Sequence, residues 1–162
     1  MGTWGTGPFD NDQAGDFEDL LSGTDPSERE VLLRRTLSRP SADTIGDWEE
    51  AVAAAAVIAE QCPGGQRFSA PWRPPWYRPT PPLPLDLRPL AAAALVRIYN
   101  SETLAGSWSS TRLRDEWRIN LARLHEALTE HSDQPQRQRG AHLGIPPQQA
   151  QPATSASGPR RR

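Results

Sequence analysis

The chain has 162 residues, a length that fits one domain built around one hydrophobic core. A sole cysteine, Cys62, excludes an intrachain disulfide and a thiolate metal cluster, and no apolar stretch is long enough to cross a membrane. The formal net charge is −2, but acids outnumber arginines by 13 to 4 in residues 1–60, whereas arginines outnumber acids by 14 to 7 in the remainder.

The first predicted helix follows a glycine-rich start. Three glycines and a proline interrupt residues 1–9, so we expect extended or turn-like backbone there. Asp10 or Asn11 can act as the N-cap of a helix that runs to about Leu21. Its apolar face is predicted to contain Ala14, Phe17, Leu20 and Leu21. A separate acidic stripe contains Asp12, Asp16 and Asp19.

A second helix is indicated by Asp25 as a cap and Pro26 in the first helical position, and Pro40 ends it. The predicted apolar face consists of Val31, Leu32, Leu33 and Leu37. A third helix is predicted from Asp43 to Gln61, and its segment 51–59 is apolar on all sides, which is typical of a buried helix.

A proline-rich segment separates the third and fourth predicted helices. Residues 63–85 contain eight prolines, which exclude a regular helix or a central strand. We expect an extended segment that covers the helical body. The fourth helix is predicted to follow Asp86, with Pro89 in its first turn, and its alanines 91–94 favour close packing against the alanines of the third helix.

The last predicted helices complete an all-α fold. A short helical stretch is predicted at about residues 100–108, and a long amphipathic helix ends near His131. The apolar stripe of this long helix is Leu113, Trp117, Leu121, Leu124 and Leu128. We therefore predict a bundle of five to six helices for residues 1–131 with a proline-rich covering loop, followed by a disordered Gln-, Pro- and Ser-rich tail at 132–162 that ends in arginines.

One segment resembles a known family. The residues from Trp4-Gly5 through Phe9-Asp10-Asn11-Asp12, together with Asp16, are similar to the opening motif of a bacterial family called domain of unknown function 4259. Weaker similarity at 51–60 and 101–108 extends the resemblance over about residues 1–130. It implies a small α-helical bacterial domain, and it implies no catalytic residues.

The same opening segment supplies most of the candidate site. The predicted site residues are Trp4, Asp10, Asp12, Asp16, Glu60 and Glu102. One interpretation is a Mg²⁺ or Ca²⁺ site in which the three aspartates are joined by Glu60 or Glu102. The other is structural: the aspartates cap the first helix, and Asp10 or Asp12 binds backbone N–H groups of the glycine-rich start or an arginine.

The function inferred from these patterns is a non-enzymatic interaction module that binds an unknown protein partner, with an immunity or antitoxin-like role as one specific form. The alternative is a divalent-metal-dependent hydrolase that uses Asp10, Asp12 and Asp16. The sequence contains no Ser-His-Asp, Cys-His or Walker pattern, and we expect no cofactor. The acidic body opposes specific nucleic-acid binding. The chain start does not read as a secretory signal, so we expect a cytoplasmic protein without membrane attachment.

Overall fold

The computed structural model describes residues 3–39, 47–71, 73 and 77–130. Within them the chain forms six α-helices and no strand, which confirms the predicted all-α fold. The helices are α1 (Asp12–Gly23), α2 (Arg29–Leu37), α3 (Asp47–Glu60), α4 (Leu87–Tyr99), α5 (Glu102–Gly106) and α6 (Thr111–Thr129). The predicted disordered tail, and the part of the third helix predicted before Asp47, lie outside the described residues.

Helix α3 is the centre of the bundle. Its residues 51–59 are all buried, and it packs against α1, α2, α4 and α6. Small side chains bury well between α3 and α4: the alanines at 53–56 of α3 and Ala91, Ala92 and Ala94 of α4 are all buried. Such side chains let two helix backbones approach closely. The predicted close contact of these two helices is confirmed.

Helices α1 and α6 also follow their predicted patterns. Asn11 is the N-cap of α1, and its Oδ1 accepts a hydrogen bond of 2.7 Å from the Ala14 amide. The stripe of α6 faces the core through Trp117, Leu121, Leu124 and Leu128. Leu20, predicted on the apolar face of α1, is instead 56% exposed.

Helix α2 begins later than predicted. Asp25 does not cap a helix; its Oδ1 accepts from the Ser27 amide at 2.9 Å and closes a turn. This turn occupies the residues up to Glu28, so the helix begins only at Arg29. Val31 is 68% exposed on the outer face of α2, whereas the prediction placed it on the apolar face.

Two polar side chains hold the covering segment, residues 63–85, through hydrogen bonds to its described part. Arg29 is buried, and its guanidinium donates to the carbonyl groups of Ser22, Thr24 and Arg78. The Gln61 amide donates to the Pro81 carbonyl at 2.9 Å and accepts from the Leu83 amide at 2.9 Å. The described part of the segment contains no α-helix or strand, as predicted, and includes a short 3₁₀ helix at Gly65–Phe68.

Candidate functional site

The chain before α1 forms a tight hydrogen-bonded turn. Thr3 pairs with Asn11 in an isolated antiparallel bridge. The Trp4 amide donates to the Asp10 carbonyl at 3.1 Å, and the Asp10 amide donates to the Gly7 carbonyl at 3.2 Å. This turn, residues 3–11, places Trp4 beside the first turn of α1.

The glycines of this turn surround the Asp10 carboxylate. The Gly7 amide donates to Asp10 Oδ2 at 2.8 Å. A Cβ atom on Gly5 would lie 2.4 Å from the same oxygen, and one on Gly7 would lie 2.7 Å from it. A side chain at either position would therefore displace the Asp10 carboxylate. The carboxylate of Asp10 is engaged with its own backbone turn, as the structural interpretation of the motif expects.

The turn is attached to the last helix. The Asn120 side chain of α6 donates to the Thr6 carbonyl at 3.1 Å and lies 3.0 Å from the Thr6 hydroxyl. Beneath the turn, three tryptophan rings from α3, α6 and the segment before α6 meet edge to face or tilted, with centroids 5.7–6.5 Å apart. They are Trp48, Trp108 and Trp117. The turn therefore lies against an aromatic cluster of the core.

An open groove of about 670 Å³ lies between the turn and α1. Trp4 and Phe9 line it on the turn side, and Ala70 and Pro71 line it on the side of the covering segment. The α1 residues that line it are Asp12, Gln13, Gly15, Asp16, Glu18 and Asp19. Trp4 is 66% exposed, so a large indole stands at the edge of a predominantly acidic groove.

Glu18 is the buried member of this lining. The residue is only 6% exposed, and neither carboxylate oxygen has a hydrogen-bond donor in the described structure. Its nearest cation is Arg73, whose Nε lies 3.7 Å from Oε1. Burial raises the pKa of the Glu18 carboxyl, and the charge of Arg73 opposes this rise.

Arg73 is shared with a second carboxylate. Its Nη2 donates to Glu60 Oε2, and the other Glu60 oxygen accepts from the Ser69 hydroxyl at 2.7 Å. The guanidinium also lies 4.5 Å from the centre of the Tyr77 ring. Both carboxylate oxygens of Glu60 therefore have a hydrogen-bond donor, whereas those of Glu18 have none among the described residues.

The structure brings together some of the predicted site residues. Trp4, Asp12 and Asp16 line the groove, and Glu60 lies next to it through Arg73. Asp10 is directed into the glycine turn. Glu102 does not line the groove; it begins α5, and its exposed side chain pairs with Arg118 at 3.4 Å.

Sequence reasoning missed Glu18 and Asp19. Glu18 stands four residues after Ala14 and three before Leu21, so it falls on the predicted buried face of α1. A charged residue in that register is the signal that identifies it. Asp19 was recognised as part of the acidic stripe, but it was not included among the candidates.

The geometry does not assemble a metal site in the part of the chain that the structure describes. There, no three His, Cys, Asp or Glu side chains meet in a way that could hold a metal ion. Among the same residues, no helix has both the length and the apolar character needed to cross a bilayer.

Fold and groove together define a small all-α domain with an acidic surface groove edged by tryptophan. A family model described as "Domain of unknown function (DUF4259)" matches residues 2–120, and the chain belongs to this family. Comparison with curated proteins gives no match, and comparison with solved structures gives none.

Proposed function

We propose that this protein is a non-enzymatic interaction module whose groove receives a segment of another protein. The observation that carries the proposal is the exposed indole of Trp4 at the edge of the groove. Tryptophan is enriched among the residues that dominate binding energy at protein interfaces. Phe9, five residues along the same turn, is buried, so the turn separates an aromatic used for packing from one presented to solvent.

The turn also holds the backbone of Trp4 in place before any partner arrives. Its backbone is held by the hydrogen bond to Asp10 and by the attachment of Thr6 to Asn120. A preorganised anchor loses less conformational entropy on binding than a mobile one. An immunity or antitoxin-like role is the specific form of this function that we propose, with a toxic protein as the partner.

The proposal can be tested by capture with matched variants of the full chain. The groove variant is Trp4→Ala with Asp16→Asn. The control variant is Val31→Ala with Asp115→Asn, which makes the same kinds of change at exposed positions outside the groove. We expect one protein to bind in stoichiometric amount to wild type and control, and to be lost from the groove variant. Recovery of the same proteins with all three would contradict the proposal.

The antitoxin-like form has its own measurement. The captured protein is expressed in the host alone and together with the wild-type chain. We expect growth arrest in the first case and relief in the second, with the groove variant giving no relief. A partner whose expression leaves growth unchanged would remove the antitoxin-like role and leave the interaction module.

The metal-dependent hydrolase is distinguished by thermal melts with Mg²⁺, Mn²⁺, Ca²⁺ and Zn²⁺. A cation that binds the native state raises the melting temperature in a saturable way. Such a rise, abolished by Asp12→Asn, would favour the hydrolase. Melts that do not move with any cation would count against it.

A further inference from the structure

The carboxylate of Glu18 has an unused capacity to accept hydrogen bonds. The residue lines the groove, but more than nine-tenths of it is buried, and both carboxylate oxygens have almost no accessible surface and no donor. A buried carboxylate is costly unless charged or polar donors surround it. A donor brought by a partner would therefore lower this cost.

Arg73 does not complete it. The 3.7 Å between Arg73 Nε and Glu18 Oε1 is longer than a hydrogen bond, and this Nε also has no acceptor. Glu60 takes the other side of the guanidinium. The inner wall of the groove thus carries two carboxylates, whose negative charge is opposed by Arg73 and, at Glu18, also by Arg29.

The rim adds to this charge. Asp16 and Asp19 are exposed on α1, and neither has an arginine within ion-pair distance among the described residues. Trp4 supplies an aromatic surface to the same groove. A ring face and several carboxylates around one groove favour a cation with an apolar stem.

We propose that the groove binds an arginine side chain presented by the partner protein, with Glu18 turning its carboxylate into the groove to accept from the guanidinium and Trp4 stacking on its plane. This assignment rests on the proposed interaction function. Arginine fits better than lysine, because its planar fork donates two parallel hydrogen bonds to one carboxylate and stacks on aromatic rings. Asp16 and Asp19 attract the approaching segment.

Fluorescence anisotropy with dye-labelled, capped pentapeptides tests the assignment on the full chain. One peptide carries two arginines, a second carries citrulline at both positions, and a third carries lysine. Citrulline keeps the shape of arginine and removes its charge. We expect the arginine peptide to bind at least about tenfold more tightly than either analogue.

Two variants identify the acceptor and the aromatic platform. Glu18→Gln keeps the shape of the side chain and removes the carboxylate, and it should weaken arginine-peptide binding about tenfold or more. Trp4→Leu should weaken it to a smaller extent. Asp115→Asn, which removes one exposed charge outside the groove, should leave the affinity unchanged. Thermal melts of each variant verify that it is folded.

Equal affinity for the arginine and citrulline peptides, or an unaltered affinity of Glu18→Gln, overturns the assignment. Equal affinity for the lysine peptide overturns the choice of a guanidinium. The capture experiment separates these results from failure of the proposed function. If the groove variant loses its partner while the peptides do not discriminate, the interaction module stands and the arginine site is wrong.

Discussion

The Nε atom of Arg73 lies 3.7 Å from Oε1 of Glu18, and no hydrogen bond joins the two groups. Burial is the largest influence on Glu18 and raises the pKa of its carboxyl; Arg73 and Arg29 oppose the rise, whereas Glu60 and Asp19 add to it. The charged form of this residue is thus disfavoured in the folded chain. A stability measurement can detect this cost.

We predict that Glu18→Gln is more stable than wild type at pH 8, and that this difference in stability is smaller at pH 4. The unfolded chain ionises Glu18 near its usual pKa of 4.5, and the folded chain ionises it at higher pH. As pH rises through this interval the unfolded state binds fewer protons than the folded state, so the free energy of unfolding falls. Glutamine cannot ionise and avoids this fall.

Thermal melts of wild type and variant at both pH values provide the measurement. Glu116→Gln, which removes a negative charge from the surface of α6, is the control for the loss of one charge. A Glu18→Gln protein that is less stable than wild type at pH 8 would show that the carboxylate is well paired. A stable variant that no longer binds arginine peptides would show that function, rather than folding, requires the charge.

A second prediction concerns Asp10. Asp10→Ala removes the acceptor of the Gly7 amide and should lower the free energy of unfolding by about 1–2 kcal/mol. Asp16→Ala, one turn into α1 and exposed, should change it by less than about 0.5 kcal/mol. Urea titrations monitored by tryptophan fluorescence compare the two variants. Equal losses would mean that Asp10 has no special structural role.

A third prediction contrasts two glycines. A Cβ atom on Gly65 would lie 1.6 Å from the Ala59 carbonyl oxygen, whereas one on Gly15 would meet nothing within 4 Å. Gly65→Ala should therefore destabilise the protein by about 2–3 kcal/mol through backbone displacement. Gly15→Ala should stabilise it by about 0.5–1 kcal/mol, because alanine has the higher helix propensity. Urea titration measures the free energy of unfolding of both variants. A Gly65→Ala protein as stable as wild type would contradict the close approach of Gly65 to the Ala59 carbonyl.

A fourth prediction concerns the attachment of the turn. Asn120→Ala removes the contacts to Thr6 and should increase hydrogen exchange of the Trp4 amide by about tenfold, with the amides of α4 unchanged. Ile119→Ala, at the neighbouring exposed position, should leave that exchange as it is in wild type. Hydrogen exchange measured by NMR resolves the two cases. Equal protection in both variants would mean that the turn is held by other contacts.

Helix positions were largely predictable because apolar periodicity follows directly from burial. The spacing from Trp117 to Leu128 identified the buried face of α6, and the alanine segments identified the contact of α3 with α4. The start of α2 was not predictable from Asp25 and Pro26. The same residues that can cap a helix also close a turn, and only the tertiary position of Arg29 selects between the two.

The candidate site was predictable only in part. Trp4, Asp12 and Asp16 were identified because an unusual motif contains them, and all three line the groove. Glu102 could not be excluded from sequence, since its distance from α1 depends on how the helices pack. Glu18 lies in an apolar register, and its lack of donors arises from the three-dimensional positions of Arg73 and Glu60.

The hydrogen bond between Thr6 and Asn120 spans 114 residues of sequence. During synthesis the segment that carries Trp4 leaves the ribosome early, while its support on α6 is translated near the end of the domain. The turn therefore gains this support only after α6 has docked. Under the proposed function, a growing polypeptide presents a fully supported Trp4 only once the helical body has been made.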